Sequence, residues 1–232
     1  MLSGTFNLPV WFDLGATFAF ALSGALAAIR RGYDIVGVLA LALVSGIGGG
    51  LIRDGLFIQT ELTPLLTNPD YIYTITAATV VSLFFQKHIH RFHRLIAWVD
   101  ALGLGAYAAF GTQKALAAGL PVSASVLVGV INAIGGGLLR DVLTREEPLV
   151  FKPGQFYLLT ALVGAVAFIC AGVYLDLAAT PAAIFAIVLT FLFRSVAIAF
   201  NWRTAPVASG DIFTQGGDTA PPNAPKDGAP KP

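Results

Sequence analysis

Apolar residues dominate the first 200 positions in long stretches, at about 10–29, 35–57, 71–86, 97–118, 122–144, 156–175 and 181–200. Most approach the roughly 20 residues that a helix needs to cross the hydrocarbon core of a bilayer. The runs are continuous, whereas the strands of a membrane β-barrel alternate apolar and polar positions. The pattern therefore predicts an all-α polytopic membrane protein with seven transmembrane helices. After Trp202 the sequence turns to Pro, Gly, Ala, Thr and Asp, a mixture that cannot bury a core. Residues 1–203 are expected to form one membrane domain, and 204–232 a disordered C-terminal tail.

Composition sharpens this. Hydrophobic residues make up 56% of the chain and charged residues 12%, against about 25% charged in soluble domains. The lone cysteine, Cys170, lies inside an apolar run and excludes an internal disulfide or a thiolate metal site. Ala25-Leu26-Ala27 has the look of a signal-peptide cleavage site. However, no basic residue precedes Arg30 and Asp13 interrupts the approach, so the first helix is expected to be retained.

One nine-residue string is written twice, as GIGGGLIRD at 46–54 and AIGGGLLRD at 133–141. Setting 11–54 beside 98–141 also matches Trp11 with Trp98, Asp13 with Asp100, Gly24 with Gly111 and Gly32 with Gly119. A three-residue adjustment in the following loop matches Pro69 with Pro153 and Tyr73 with Tyr157. Repeat one thus covers 10–86 and repeat two 97–175, with helix seven at 181–200 outside them and expected on the periphery or at an oligomer contact. Three spans per half is an odd number, so the second half enters the membrane from the opposite side and the repeats are inverted. Arg30, Arg31, Lys87, Arg91, Arg94, Arg145, Lys152, Arg203, Lys226 and Lys231 fall on one side, while only Lys114 approaches the other. The positive-inside rule places the N-terminus outside and the C-terminus in the cytoplasm.

The candidate chemistry lies in the duplicated string. Gly48, Gly49 and Gly50, with Gly135, Gly136 and Gly137, each cost about 1 kcal/mol of helix propensity relative to alanine, and they are expected to kink or open spans two and five. Freed backbone groups are tolerated at that depth only against protein or a water-filled cavity. A packing surface that brings two helices close is the competing account. Arg53 and Arg140 follow at matched positions, where an arginine near mid-membrane costs about 2.5–3.5 kcal/mol on insertion scales. Asp54 and Asp141 can compensate them, although neighbours i and i+1 do not face each other on a helix; pairing to another segment or exposure to water is expected. Ser45 and Asn132, matched just before the glycines, are polar groups for a cation path or for interhelical hydrogen bonds, and Lys114 either lines the cavity or snorkels outward. Asp13 and Asp100 are expected to cap the starts of helices one and four and compensate their dipoles, with a place at the mouth of a solute path as the alternative. The run Lys87–Arg94 holds all three histidines, and without a carboxylate or cysteine beside them a topological role is expected, not metal binding. The string has neither the preceding strand nor the lysine of a phosphate loop, and there is no nucleophile with a positioned base and no basic domain for nucleic acid.

Gly-Gly-Gly-x-x-Arg-Asp twice, in a seven-span chain with inverted halves, resembles the bacterial branch of the trimeric intracellular cation channel (TRIC) family, over nearly the whole chain to about Phe200. It is also similar to small bacterial membrane proteins described as glycine-transporter-like. The resemblance implies a homotrimer in the bacterial inner membrane, surrounded by lipid and without a cofactor. Each subunit would hold its own pore along spans two and five, at Gly48–Gly50 and Gly135–Gly137, passing monovalent cations such as potassium. The Lys-Glu-Val tripeptide of the eukaryotic members is absent, so their lipid or calcium control does not carry over. The inverted repeats leave a second reading, a secondary transporter of a small solute such as glycine.

Overall fold

A computed structural model of the chain describes residues 7–59, 63–85, 93–152, 156–200 and 202. Pro153, residues 87–92 of the histidine-bearing run and the expected tail lie outside the described residues. Seven principal helices follow in order: α1 (Trp11–Arg30), α2 (Ile35–Ile52), α3 (Asp70–Phe85), α4 (His93–Ala117), α5 (Val122–Leu143), α6 (Tyr157–Ile169) and α7 (Ala179–Ala199). Two of them end in π-helical stretches, α2 in Arg53–Ile58 and α6 in Cys170–Tyr174. A single turn, Pro64–Thr67, precedes α3. Five of these helical segments are long and apolar enough to cross a membrane by themselves. The exterior is apolar, with Phe84 78%, Ile72 63% and Phe185 51% exposed, while Arg53, Arg140, Arg194, Asp13, Asp54, Asp100 and Asp141 are buried. That inversion of the usual arrangement is what a hydrocarbon solvent selects.

The turns repeat along with the helices. Gly32 and Gly119, at matched positions after α1 and α4, both adopt left-handed backbone, with φ of 74° and 85°. A residue with a Cβ is strained there, and glycine ends a helix in this way. Asp34 then caps α2 by accepting a hydrogen bond from the Gly37 amide at 2.8 Å.

Specific bonds show the inversion. Asp13, early in α1, meets Arg53 at the end of α2, and Lys114 at the end of α4 meets Asp54. These groups define the near side. Arg30 at the end of α1 instead meets Glu146 beyond the end of α5, and Asp100 in α4 meets Arg140. These define the far side. Helices α1 and α4 therefore run in opposite directions. Helix α7 packs on α4 and α6 at the edge of the second half and leaves an apolar face outward.

The third helices align in a different register from the one expected. Tyr71, Ile75, Ala78, Thr79 and Ser82 are buried in α3; Tyr157, Ala161, Gly164, Ala165 and Phe168 are buried in α6. An offset of 86 pairs all five, so Tyr71, not Tyr73, is the counterpart of Tyr157. Tyr73 is 69% exposed. Matching by residue identity slid the helix by two positions, about 200° of rotation at 3.6 residues per turn.

The glycine triplets mark the crossing of α2 and α5. A Cβ on Gly49 would run into the main-chain carbonyl of Asn132, and a Cβ on Gly136 into that of Ser45. The two contacts are reciprocal across the repeat, and backbone lies on backbone. The expected opening of the helices at these glycines is not seen: α2 is α-helical through Ile52 and α5 through Leu143. The departure from α-helix begins at Arg53 in α2 and has no counterpart in α5. Close packing satisfies the local geometry with the helical bonds kept. A Cβ on Gly48 would meet only the flexible end of Leu139. Gly49→Ala and Gly136→Ala are therefore each expected to destabilise the protein by about 1–3 kcal/mol, whereas Gly48→Ala is expected to be near neutral. Thermal unfolding of the three variants in detergent checks this.

Candidate functional site

Each half folds its duplicated arginine into a cluster of acceptors. On the near side Arg53 has no exposed surface. Its Nε and Nη2 donate to the two carboxylate oxygens of Asp54 at 2.7 and 3.0 Å, and Nη1 reaches Asp13 Oδ1 at 3.4 Å. The hydroxyl of Tyr71 donates to the other oxygen of Asp13 at 2.5 Å. Lys114 sets its ammonium against both oxygens of Asp54, at 2.9 and 3.0 Å. The ring of Phe110 covers the guanidinium, its centroid 5.2 Å from Cζ. Two carboxylates thus face two cations, as deep burial of charge requires.

The far side repeats this with variations. Arg140 donates through Nε to Asp141 Oδ1 at 2.9 Å, with Nη2 at ion-pair distance from the same oxygen, also 2.9 Å, and through Nη1 to Asp100 Oδ1 at 2.5 Å and to the Ser23 hydroxyl. The Leu149 amide donates to Asp141 Oδ2 at 3.0 Å. Tyr157 is buried beside Asp100 and Arg140, but its hydroxyl makes no hydrogen bond of normal geometry. Arg194, from α7, stacks on the Tyr157 ring with its Cζ 5.4 Å from the centroid.

Two expectations are corrected. Asp13 and Asp100 do not cap helices. Asp13 is the third residue of α1, Asp100 lies well inside α4, and each is 2% exposed and paired with its own repeat's arginine. Asp54 and Asp141 pair with the adjacent arginine and not with an arginine on another segment; the long guanidinium side chain folds back over its own turn, a reach that Cβ positions alone do not reveal. Reading the sequence also missed Tyr71, Ser23 and Glu146. The signal for the two aspartates was present, since they match across the repeat; none marked Ser23, which has Phe110 at the matching position.

Between the clusters, Phe20 and Tyr107, matched at an offset of 87, stack on each other with centroids 5.3 Å apart. The Tyr107 hydroxyl donates to the Gly46 carbonyl at 2.5 Å and accepts from Thr17 at 2.8 Å. Ser45 and Asn132 are fully buried beside this stack. Asn132 donates its amide to the Tyr107 carbonyl at 2.8 Å, while the Asn132 side-chain oxygen and the Ser45 hydroxyl lack partners. A pocket of about 140 Å³ opens on the far side, walled by Arg30, Asp100, Arg140, Asp141 and Glu146 together with apolar Ala27, Ile96 and Leu149. Across its rim, Glu146 Oε1 bridges Arg30 at 2.5 Å and Arg31 at 3.0 Å. Among the described residues, no group of histidine, cysteine and carboxylate could hold a metal ion.

Two inverted three-helix halves with duplicated buried charges define the inverted-repeat class of polytopic membrane proteins. A family model described as Glycine transporter matches the chain twice, at residues 10–87 and 97–172. A UPF0126 membrane protein of Deinococcus radiodurans is 36% identical over 157 residues, 67% of this chain and 72% of the relative. The UPF0126 inner membrane protein YadS of Escherichia coli K12 is 31% identical over 200 residues, covering 84% and 94%. The solved TRIC trimeric intracellular cation channel orthologue from Rhodobacter sphaeroides superposes with a TM-score of 0.76 at 31% identity, covering 82% of this chain and 97% of that one. The chain belongs to the TRIC family, in the group that the family model describes as glycine transporter.

Removing Arg53 alone leaves buried Asp13 without its cation and Asp54 with Lys114 only, so Arg53→Met is expected to cost about 3–5 kcal/mol, read as a fall in Tm. Lys114→Met, at a half-buried position, is expected to cost less. For Glu146, burial raises the carboxyl pKa, but Arg30 and Arg31 outweigh it and hold the group below its ordinary value. A depressed folded-state pKa gives stability that is present above the unfolded value and lost as pH falls through the folded one. The bridge is therefore intact at neutral pH and weakens only below the ordinary glutamate range, and Glu146→Gln is expected to remove this acid-dependent component from a Tm-against-pH series.

Proposed function

We propose that the chain is a cation channel that assembles as a homotrimer, each subunit carrying its own potassium-permeable path along α2 and α5. The observation that carries this reading is the pair of charge-compensated clusters at opposite ends of the α2–α5 glycine crossing, in a chain that overlays a TRIC orthologue along nearly all of that orthologue's length. Asp13, Asp54, Asp100 and Asp141 give both ends carboxylates that attract cations. An arginine beside a cation path repels the permeating ion; here Arg53 and Arg140 are each bonded to two carboxylates, so neither presents a bare positive charge. Ser45 and Asn132 supply unpartnered oxygens at intermediate depth. Gly48–Gly50 and Gly135–Gly137 let the two lining helices approach, and Lys114 stands at the near end as the charge that an ion passes. Arg30, Arg31, Arg145 and Lys152 gather at the far side, which is the cytoplasmic one by the positive-inside rule. The N-terminus then lies outside a bacterial inner membrane and the C-terminus in the cytoplasm.

Purified protein in planar bilayers under a potassium gradient tests this reading. Discrete currents that reverse near the potassium equilibrium potential, with a step size altered in Lys114→Met, are expected. Silent bilayers together with saturable uptake of glycine into vesicles would overturn the channel in favour of a carrier.

A further inference from the structure

We infer that Arg194, on the helix outside the repeat, is a positioning residue of the far cluster: it supplies the second cation that Lys114 supplies in the near one, and it holds Tyr157 beside Asp100. The internal repeat provides the comparison. In the near half Asp13 and Asp54 meet Arg53 and Lys114. In the far half Asp100 and Asp141 meet Arg140, and the position matched with Lys114 is Ala27, which carries no charge. Arg30 and Arg31 are engaged by Glu146 at the rim. Arg194 is 2% exposed and within electrostatic reach of Asp100, and its Cζ lies 5.4 Å from the centre of the Tyr157 ring. Counting it gives the far cluster two carboxylates and two cations, the balance that the near cluster has. The second cation comes from α4 of the other half on the near side, and from a helix without a counterpart on the far side.

Helix α7 is built to bring this one charge inward. Ala179, Ala183, Ala186, Thr190, Arg194 and Ala197 are its buried residues at helical spacing, so the arginine stands on a face that is otherwise small. An arginine in so apolar a helix costs about 2.5–3.5 kcal/mol on insertion scales, and such residues face the interior and pair there. The second half has made room for that face. A Cβ on Gly105 of α4 would stand 3.0 Å from Ile187 Cα and 3.1 Å from Thr190 Cβ, and one on Gly164 of α6 would strike the Thr190 hydroxyl. The residue matched with Gly105 in the first half is Phe18, which would keep a helix away. Tyr157 departs from its counterpart in the same sense. Tyr71 is fixed by its bond to Asp13, whereas the Tyr157 ring is covered by the Arg194 guanidinium. On the channel reading, on which this consequence rests, α7 is a working part of the far entrance, because any shift of α7 moves a charge and a ring beside Asp100.

A double-mutant cycle on the full chain in detergent separates charge pairing from packing. Arg194→Met is expected to lower Tm by several degrees in the wild-type background, where it leaves Asp100 and Asp141 to Arg140. In the Asp100→Asn background the same change is expected to leave Tm unchanged or to raise it, since it removes a cation whose carboxylate is already gone. An equal fall in both backgrounds assigns Arg194 to packing and overturns the inference. Should Arg194→Met fail to fold alone, the double variant decides: recovery of folded protein supports the pairing, and failure of the double as well overturns it. Planar-bilayer currents under symmetric potassium test the consequence. Arg194→Met is expected to raise the current entering from the far side relative to that entering from the near side, and an unchanged ratio in folded protein removes α7 from the path. Silent bilayers from every preparation, alongside the background-dependent Tm, remove the channel and leave Arg194 in the cluster; currents alongside equal falls in Tm do the reverse.

Discussion

A guanidinium with no exposed surface, inside a body whose outside faces hydrocarbon, has to be neutralised by groups on neighbouring helices, and the helical arrangement follows from this requirement. Transfer of either ion of a pair from water to a low-dielectric interior costs several kcal/mol even after relaxation, and only close, hydrogen-bonded partners offset it. Arg53 and Arg140 each obtain one carboxylate from their own turn and one from the first helix of their own half. The second of these bonds fixes the height of α1 against α2, and of α4 against α5. Tyr71 and Tyr157 then bring the third helix of each half to the same centre, one by a bond to Asp13 and the other by burial beside Asp100.

The glycine crossing is the complementary constraint. The clusters lie at opposite membrane faces, and something has to join the halves between them without adding polar surface. Main chain against main chain at Gly49 and Gly136 does this, where larger residues would hold α2 and α5 apart. Phe20 and Tyr107 stack close by and face each other across the pseudo-symmetry axis. Only one of the two carries a hydroxyl, and that single oxygen recruits Thr17 and the Gly46 carbonyl. The halves are alike in backbone and unlike in polar detail.

Much of this was legible in the sequence, because a bilayer reduces helix placement to counting apolar residues and a duplication advertises itself through rare strings. The spans, the inversion and the singular status of Arg53 and Arg140 came from those two signals. What escaped notice depends on side-chain reach and helix rotation. Asp13 sits early in a helix, where capping is the ordinary role of an aspartate, and only the folded chain brings Arg53 to it. Tyr71 was hidden behind Tyr73 because identity of residue type outweighed the burial pattern. The glycines suggested an opened helix, since propensity in water says nothing about a neighbouring backbone that needs the space. Glu146 gave no warning at all: its partners Arg30 and Arg31 are more than a hundred positions earlier, and its counterpart in the first half is Gln59, which turns back on its own helix to the Gly55 and Leu56 carbonyls.

The short sequence distance between each arginine and its carboxylates also bears on how the protein is made. Asp13, Arg53, Asp54 and Tyr71 all belong to the first third of the chain, so the first cluster has its principal partners before any of α4 to α7 is synthesised. A ribosome feeding this chain into a membrane does not have to leave a bare arginine in lipid while the remaining helices emerge. The second half is equally self-sufficient, and what it adds on arrival is Lys114, which crosses from α4 to Asp54 as the last charge of a cluster already assembled. Biogenesis can proceed half by half, with the glycine crossing as the step that joins two pieces whose arginines are already paired.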